Sequence, residues 1–182
     1  MNYKFSDKEI NDILKKLVII IDTREQRNEH IIEFLKLKKH PYISQKLDFG
    51  DYSCMIPEGS FKGQQRDIYF NKLRAIERKA SIDELAGNFK EDGARIKKEL
   101  AHMNKYGIKY EIYVEDEHYF ANIRDPEGYR SQYDPKALYG RIKSLEAQYN
   151  TKIVPISKTF IGSEIYNTLY YFVRDYLKNG GN

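Results

Sequence analysis

Residues 17–25 read Leu17-Val18-Ile19-Ile20-Ile21-Asp22-Thr23-Arg24-Glu25, an unbroken apolar run rich in β-branched side chains and closed by a carboxylate. A run so short and so branched predicts a strand buried on both faces rather than a helix. The charge at its end sets Asp22 where the strand leaves the core. Outward from this strand, residues 28–38 carry Ile31, Ile32, Leu35 and Leu37 at roughly helical spacing and stop ahead of Pro41. Residues 42–47, 51–56 and 67–77 are rich in Ile, Tyr and Phe and are parted by Asp48-Phe49-Gly50 and by the loop Pro57–Gln65. They read as an antiparallel meander.

Beyond Lys79 the period changes to that of a helix. Ser81 and Glu84 have the spacing of a capping box, with Ile82, Leu85, Ala86 and Phe89 on one side. A second helix is predicted over 93–105 and a strand over 109–114, while the polar, aromatic stretch 115–135 has no period and reads as a long loop. Asp134-Pro135 opens a helix to Tyr149, a short strand covers 152–155, and a last helix covers 161–178. Strands alternating with helices after a meander predict a three-layer α/β/α domain with a mixed central sheet.

The 182 residues (21.6 kDa) suit one core, so a single domain over 1–182 is expected, with its core at 17–178, a short polar N-terminal segment and a Gly-rich tail. A composition of 41% hydrophobic and 32% charged residues argues for a folded chain, and a net charge of +4 suits a polyanionic partner. Cys54 is the only cysteine, which excludes an intrachain disulfide and a cysteine metal site and leaves it an inert core residue. The polar start and the lack of a membrane-length apolar run predict an intracellular protein, in the cytoplasm or with DNA in a nucleoid or nucleus. No membrane association and no nucleotide cofactor are expected. His30, His40, His102 and His118 lack ligand spacing and read as surface or packing residues.

Asp51 opens one predicted strand and Glu77 ends another. If the two strands are neighbours, their carboxylates would converge on one divalent cation, a hard ion that takes oxygen ligands and serves phosphodiester hydrolysis. Lys79, two residues past Glu77 in an extended chain, would share its face and act on the attacking water or on transition-state charge. Each word taken alone has a plainer reading. Asp22 with Glu25 also fits a capping box, Gly50-Asp51 also fits a turn, and Glu77-Arg78-Lys79 also fits a solvated strand end. Their joint occurrence in order outweighs these readings.

Asp22-Thr23-Arg24-Glu25, then Gly50-Asp51-Tyr52, then Glu77-Arg78-Lys79 with Asp83 in the form ERKxxxD together resemble the XPF-type nuclease domain of the restriction-endonuclease-like fold. The resemblance covers about 17–178, with its specific words between Asp22 and Asp83. It implies metal ligation by Asp51 and Glu77, with the Arg78 carbonyl as a further ligand and Lys79 as the catalytic lysine. It sets Asp22 and Glu25 beside the ion, acting through waters. Arg24 and Arg78 would hold the acidic cluster or a phosphate, and Asp83 would brace the site. The expected activity is Mg²⁺-dependent DNA endonuclease cleavage, with Mn²⁺ substituting, selective for branched or junction DNA. The alternatives are a non-catalytic DNA-binding or dimerisation partner and a sequence-specific restriction endonuclease.

For DNA contact the candidates are Arg95, Lys97 and Lys98 on one helix and Arg124 and Arg130 in the polar segment. In the last helix Ile161, Ile165, Leu169, Phe172 and Tyr176 form one apolar stripe, and Tyr166, Tyr170, Val173 and Leu177 form a second. Two stripes predict burial on two sides, either deep inside the domain or against another chain, and the resemblance to XPF-type domains, which pair, implies a homodimer through Ile165, Tyr166, Leu169, Tyr170 and Val173.

Overall fold

The computed structural model describes residues 4–180. They fall into two compact units, one comprising the chain up to Ala75 together with the chain from Gly162 onward, the other Ile76–Ile161.

The first unit opens with helix α1 (Asp7–Leu14), whose cap Ser6 accepts from the Glu9 N–H while the Glu9 carboxylate accepts from Ser6. Ile10, Ile13 and Leu14 are buried, at 2%, 1% and 1% exposure. Buried side chains thus begin ahead of residue 17: the segment is polar on one face only, with a capping box and i, i+3, i+4 spacing. Strand β1 (Val18–Ile21) is buried throughout, as its composition demands. Helix α2 (Glu29–Leu37) then leads to β2 (Tyr42–Ser44), which pairs parallel with β1 in the register Ile20↔Ile43. Strand β3 (Tyr52–Ile56) lies antiparallel to β1, Ile21 opposite Tyr52, and β4 (Ile68–Tyr69) lies antiparallel to β3.

The expected meander is therefore corrected. A helical crossover between β1 and β2 returns the chain to the same end, which gives parallel pairing, and β3 occupies the other edge of β1. The stretch 67–77 is broken as well. The N–H groups of Leu73 and Arg74 both donate to the Phe70 carbonyl at 2.8 Å, and this turn separates β4 from β5 (Arg74–Lys79).

The second unit takes up β5 from Ile76 and continues through α3 (Ile82–Glu91), α4 (Gly93–Lys105), β6 (Lys109–Glu115), the one-turn α5 (Tyr119–Asn122), α6 (Pro135–Gln148) and β7 (Thr151–Ile156). Its strands are ordered β5-β6-β7, with β6 and β7 parallel in the register Ile112↔Ile153. Helix α6 is the crossover, capped by Asp134 with Pro135 in its first turn. Both α3 and α4 pack against β6. The stretch 115–135 is tied down by buried Tyr119, Ile123 and Tyr129.

Helix α7 (Ile161–Lys178) returns the chain to the first unit. Ile161, Ile165, Leu169 and Val173 are at 0% exposure and Leu177 at 6%, one stripe repeating every four residues. The two expected stripes are thus redrawn: Val173 and Leu177 belong with Ile165 and Leu169, and Ile165, Leu169 and Val173 are enclosed within the chain. Tyr166 and Tyr170 are only half-buried. Tyr166 stacks on His40 with ring centroids 3.5 Å apart, and a Cβ added at Gly162 would meet the Phe34 side chain at 3.0 Å, so α7 lies close against α2. Parallel and antiparallel pairs among seven strands, interleaved with helices, make this the mixed α/β class expected from the sequence.

Candidate active site

In the first unit the words Asp22-Thr23-Arg24-Glu25 and Gly50-Asp51-Tyr52 meet where β1 ends and β3 begins. The register that sets Ile21 opposite Tyr52 brings Asp22 beside Asp51, and the Asp22 N–H donates to the Asp51 carbonyl at 2.8 Å. Gly50, at φ +67°, makes the turn into Asp51 in a region glycine enters without strain. Asp22 is 2% exposed and both of its carboxylate oxygens are engaged. Oδ1 accepts from the Arg24 N–H at 2.8 Å and from Arg24 Nε at 2.7 Å, while Oδ2 accepts from Arg24 Nη2 at 3.0 Å and from the Leu47 N–H at 2.6 Å. Burial resists ionisation of this carboxyl, but the Arg24 guanidinium, the Leu47 N–H and the Arg24 N–H outweigh it and hold Asp22 below the usual carboxylate range. Arg24 is clamped in turn by the Leu47 carbonyl, 2.9 Å from Nη2. Glu25 accepts from the buried Tyr52 hydroxyl at 3.2 Å, and that hydroxyl accepts from Asn28.

In the second unit, strand alternation along β5 sorts the word Glu77-Arg78-Lys79 to two faces. Glu77 and Lys79 share one: Lys79 Nζ lies 2.7 Å from Glu77 Oε1 and 3.4 Å from a Glu84 oxygen, with the Lys79 side chain only 13% exposed. The Tyr110 hydroxyl donates to Glu77 Oε2 at 3.0 Å, so both oxygens of Glu77 are held. Arg78 points the other way into a buried ion pair with Glu115, at 3.2 Å with both side chains 5% exposed. Helix α3 starts directly after, with Ser81 accepting from the Glu84 N–H and the Glu84 carboxylate accepting from the Ala80 N–H. A partly open cleft borders the Glu77–Lys79 face, walled by α3, α4 and β6.

The remaining candidates are placed as follows. Asp83 accepts from the backbone and the guanidinium of Arg130. Burial works against its ionisation, but the Arg130 N–H and guanidinium prevail and hold it below the usual range. Arg95 lies on the cleft rim, tied along its own helix to Asp92 at 3.1 Å and Glu99 at 2.8 Å. Lys97 and Lys98 are exposed on α4. Arg124 donates to the Phe120 carbonyl and sits over the Tyr139 ring, 4.9 Å from its centroid. Tyr110, Glu84 and Glu115 were not singled out from the sequence. Only Glu84, through its cap spacing, carried a local signal. Cys54 is fully buried, and burial pushes its thiol pKa up, as suits an inert core residue. Among the described residues, no group of three or more His, Cys, Asp or Glu side chains is gathered as a metal cluster, and no helix is long and apolar enough to cross a membrane.

This is a mixed α/β chain carrying a strand-end aspartate and a Glu-x-Lys pair on one strand face. Within it, the ERCC4 domain model matches residues 21–159, most of the chain, and the chain belongs to that family. The fold is similar to that of XPF from Aeropyrum pernix, at 18% identity and a TM-score of 0.58 over 85% of this chain and 61% of that one. It is also similar to XPF from the same organism in complex with DNA, at 17% identity and a TM-score of 0.56 over 87% and 65%. The chain thus spans less than two thirds of the length of these structures. No curated protein matches it. The likeness to XPF-type domains read from Asp22 through Asp83 is borne out.

Proposed function

We propose that the chain is a divalent-metal-dependent DNA endonuclease. The observation that carries this reading is the Glu77–Lys79 pair, carboxylate and ammonium 2.7 Å apart on one face of β5, in a domain of the ERCC4 family. The bound DNA of the second XPF structure supports DNA as the substrate. Carboxylate oxygens are the donors Mg²⁺ takes: such an ion is held by one or two carboxylates and keeps several waters and substrate phosphates. In this reading Glu77 would be a ligand of the ion, which when bound would stabilise the charge on the phosphate and lower the pKa of the attacking water. Lys79, held by Glu77 and Glu84, presents its ammonium toward the same charge. Asp22 keeps Arg24 in place rather than offering an open oxygen, and Arg78 secures the end of β5 through Glu115.

Labelled single strands, duplexes, flaps, forks and four-way junctions, incubated with Mg²⁺, with Mn²⁺ or with EDTA, test the reading. Cleavage in either metal and none in EDTA is the expected result. Binding without cleavage of any substrate would leave the chain a non-catalytic DNA-binding module.

A further inference from the structure

Two helices of the chain begin on a serine followed three residues later by a glutamate, and they use the pair differently. At α1 the Glu9 carboxylate accepts at 2.8 Å from the N–H of its own cap, Ser6, which closes a capping box. At α3 the Glu84 carboxylate reaches past its cap, Ser81, and accepts through Oε2 from the Ala80 N–H at 2.9 Å, one residue nearer Lys79. Its other oxygen, Oε1, lies 3.4 Å from Lys79 Nζ, which is also 2.7 Å from Glu77 Oε1. Capping accounts for Oε2 and leaves the contact of Oε1 unexplained. We propose that Glu84 is a positioning residue of this site: it keeps the Lys79 ammonium in place when Glu77 gives its carboxylate to a divalent cation. The proposal rests on the nuclease reading.

Charge explains why a second carboxylate is needed. Both oxygens of Glu77 are engaged, Oε1 by Lys79 and Oε2 by the Tyr110 hydroxyl at 3.0 Å. A cation that takes an oxygen of Glu77 comes up against the ammonium leaning on the same group, and like charges so close disfavour each other. Without Glu84, Glu77 would have to serve both the cation and Lys79. With Glu84 the ammonium keeps a carboxylate of its own, so Glu77 can turn to the cation without leaving a charge uncompensated in a place where the Lys79 side chain is only 13% exposed. Glu84 itself is 41% exposed, which spares it the desolvation cost of a buried charge. The start of α3 aims it: its N–H donates to Ser81 Oγ at 3.2 Å and its Oε2 is tied to the Ala80 N–H. Glu84 touches no reacting atom and acts through Lys79.

The test reads the Mn²⁺ affinity of the full chain by calorimetry, without DNA. Glu84→Gln keeps an oxygen for the Ala80 N–H and removes the charge. Its melting midpoint should stay within about 2 °C of wild type while Mn²⁺ binds about tenfold more weakly. In a Lys79→Met background, where no ammonium competes for Glu77, the same substitution should change the affinity by less than about twofold. Ser81→Ala takes the other half of the cap and should lower the midpoint by about 2–4 °C without weakening Mn²⁺. Unchanged affinity in Glu84→Gln, an equal loss with and without Lys79, or the same loss in Ser81→Ala would each overturn the proposal. The second result would make Glu84 an ordinary remote charge, and the third would make it a helix cap. Cleavage in Mg²⁺ is scored separately. A chain that cuts DNA with no coupling between Glu84 and Lys79 loses only the positioning role, and a chain that shows the coupling but never cuts loses only the nuclease reading. A wild-type chain that takes up no Mn²⁺ overturns both.

Discussion

Replacing Glu115 by glutamine leaves volume and shape nearly unchanged and removes one charge. Arg78 and Glu115 are 3.2 Å apart with side chains 5% exposed, so the guanidinium would lose this charged partner in a place water hardly reaches. Removing one partner of a buried pair costs about 3–5 kcal/mol, and an amide that still accepts a hydrogen bond recovers part of this, giving about 2–3 kcal/mol for Glu115→Gln. For a chain of this length each kcal/mol lowers the midpoint by about 2–4 °C, so a fall of about 5–10 °C is expected in a thermal melt followed by circular dichroism. The double variant Arg78→Met with Glu115→Met removes both charges and should lie closer to wild type than Glu115→Gln does. A midpoint within about 2 °C of wild type for Glu115→Gln, or a double variant no better than the single one, would refute a buried, mutually dependent pair.

Three further outcomes are expected. Asp22 is held ionised by Arg24 and Leu47, so its folded-state pKa lies below the ordinary value of 3.8; the stability it contributes is complete above that value and is lost as pH falls through the lower one. Asp22→Asn should flatten that acid limb of the stability–pH profile, and an unchanged limb would count against the assignment. Tyr110→Phe removes the donor on Glu77 Oε2 and should weaken Mn²⁺ binding about tenfold by calorimetry with little change in melting, an outcome that equal affinity would contradict. If copies of the chain pair through the half-buried tyrosines of α7, Tyr170→Glu should halve the mass found by light scattering; a wild-type mass near 21.6 kDa would remove that proposal.

Local features of the sequence reached as far as local physics does. The β-branched run before Asp22 specified β1, Asp134-Pro135 specified the start of α6, and the two-residue spacing of Glu77 and Lys79 put them on one face. Pairing depends on which edge a strand finds. The three residues of β2 carry no mark of joining β1 in parallel, and the alternation in 67–77 gave no warning of the turn at Phe70. Helix α1 was overlooked although Ser6 and Glu9 announce it, because its polar face dominates the composition. The α7 stripe was assigned by i+3 and i+4 steps that lead to either Phe172 or Val173, and only packing chose Val173. Around the site, Tyr110 lies 33 residues from Glu77 and Glu115 lies 37 from Arg78, partnerships that no spacing rule reaches. Asp22 was read for its position at the strand end, whereas its oxygens are engaged by Arg24 and by Leu47, the latter 25 residues away.

That Glu77 holds an ion needed for DNA cleavage is a proposal. It is tested most directly by the single-turnover cleavage rate of Glu77→Gln in saturating Mg²⁺, beside wild type and with DNA affinity measured in parallel. A loss of at least about a hundredfold in rate at nearly unchanged DNA affinity is expected, since the amide keeps the side chain's volume and removes the ligand charge. Cleavage by Glu77→Gln at the wild-type rate would contradict it.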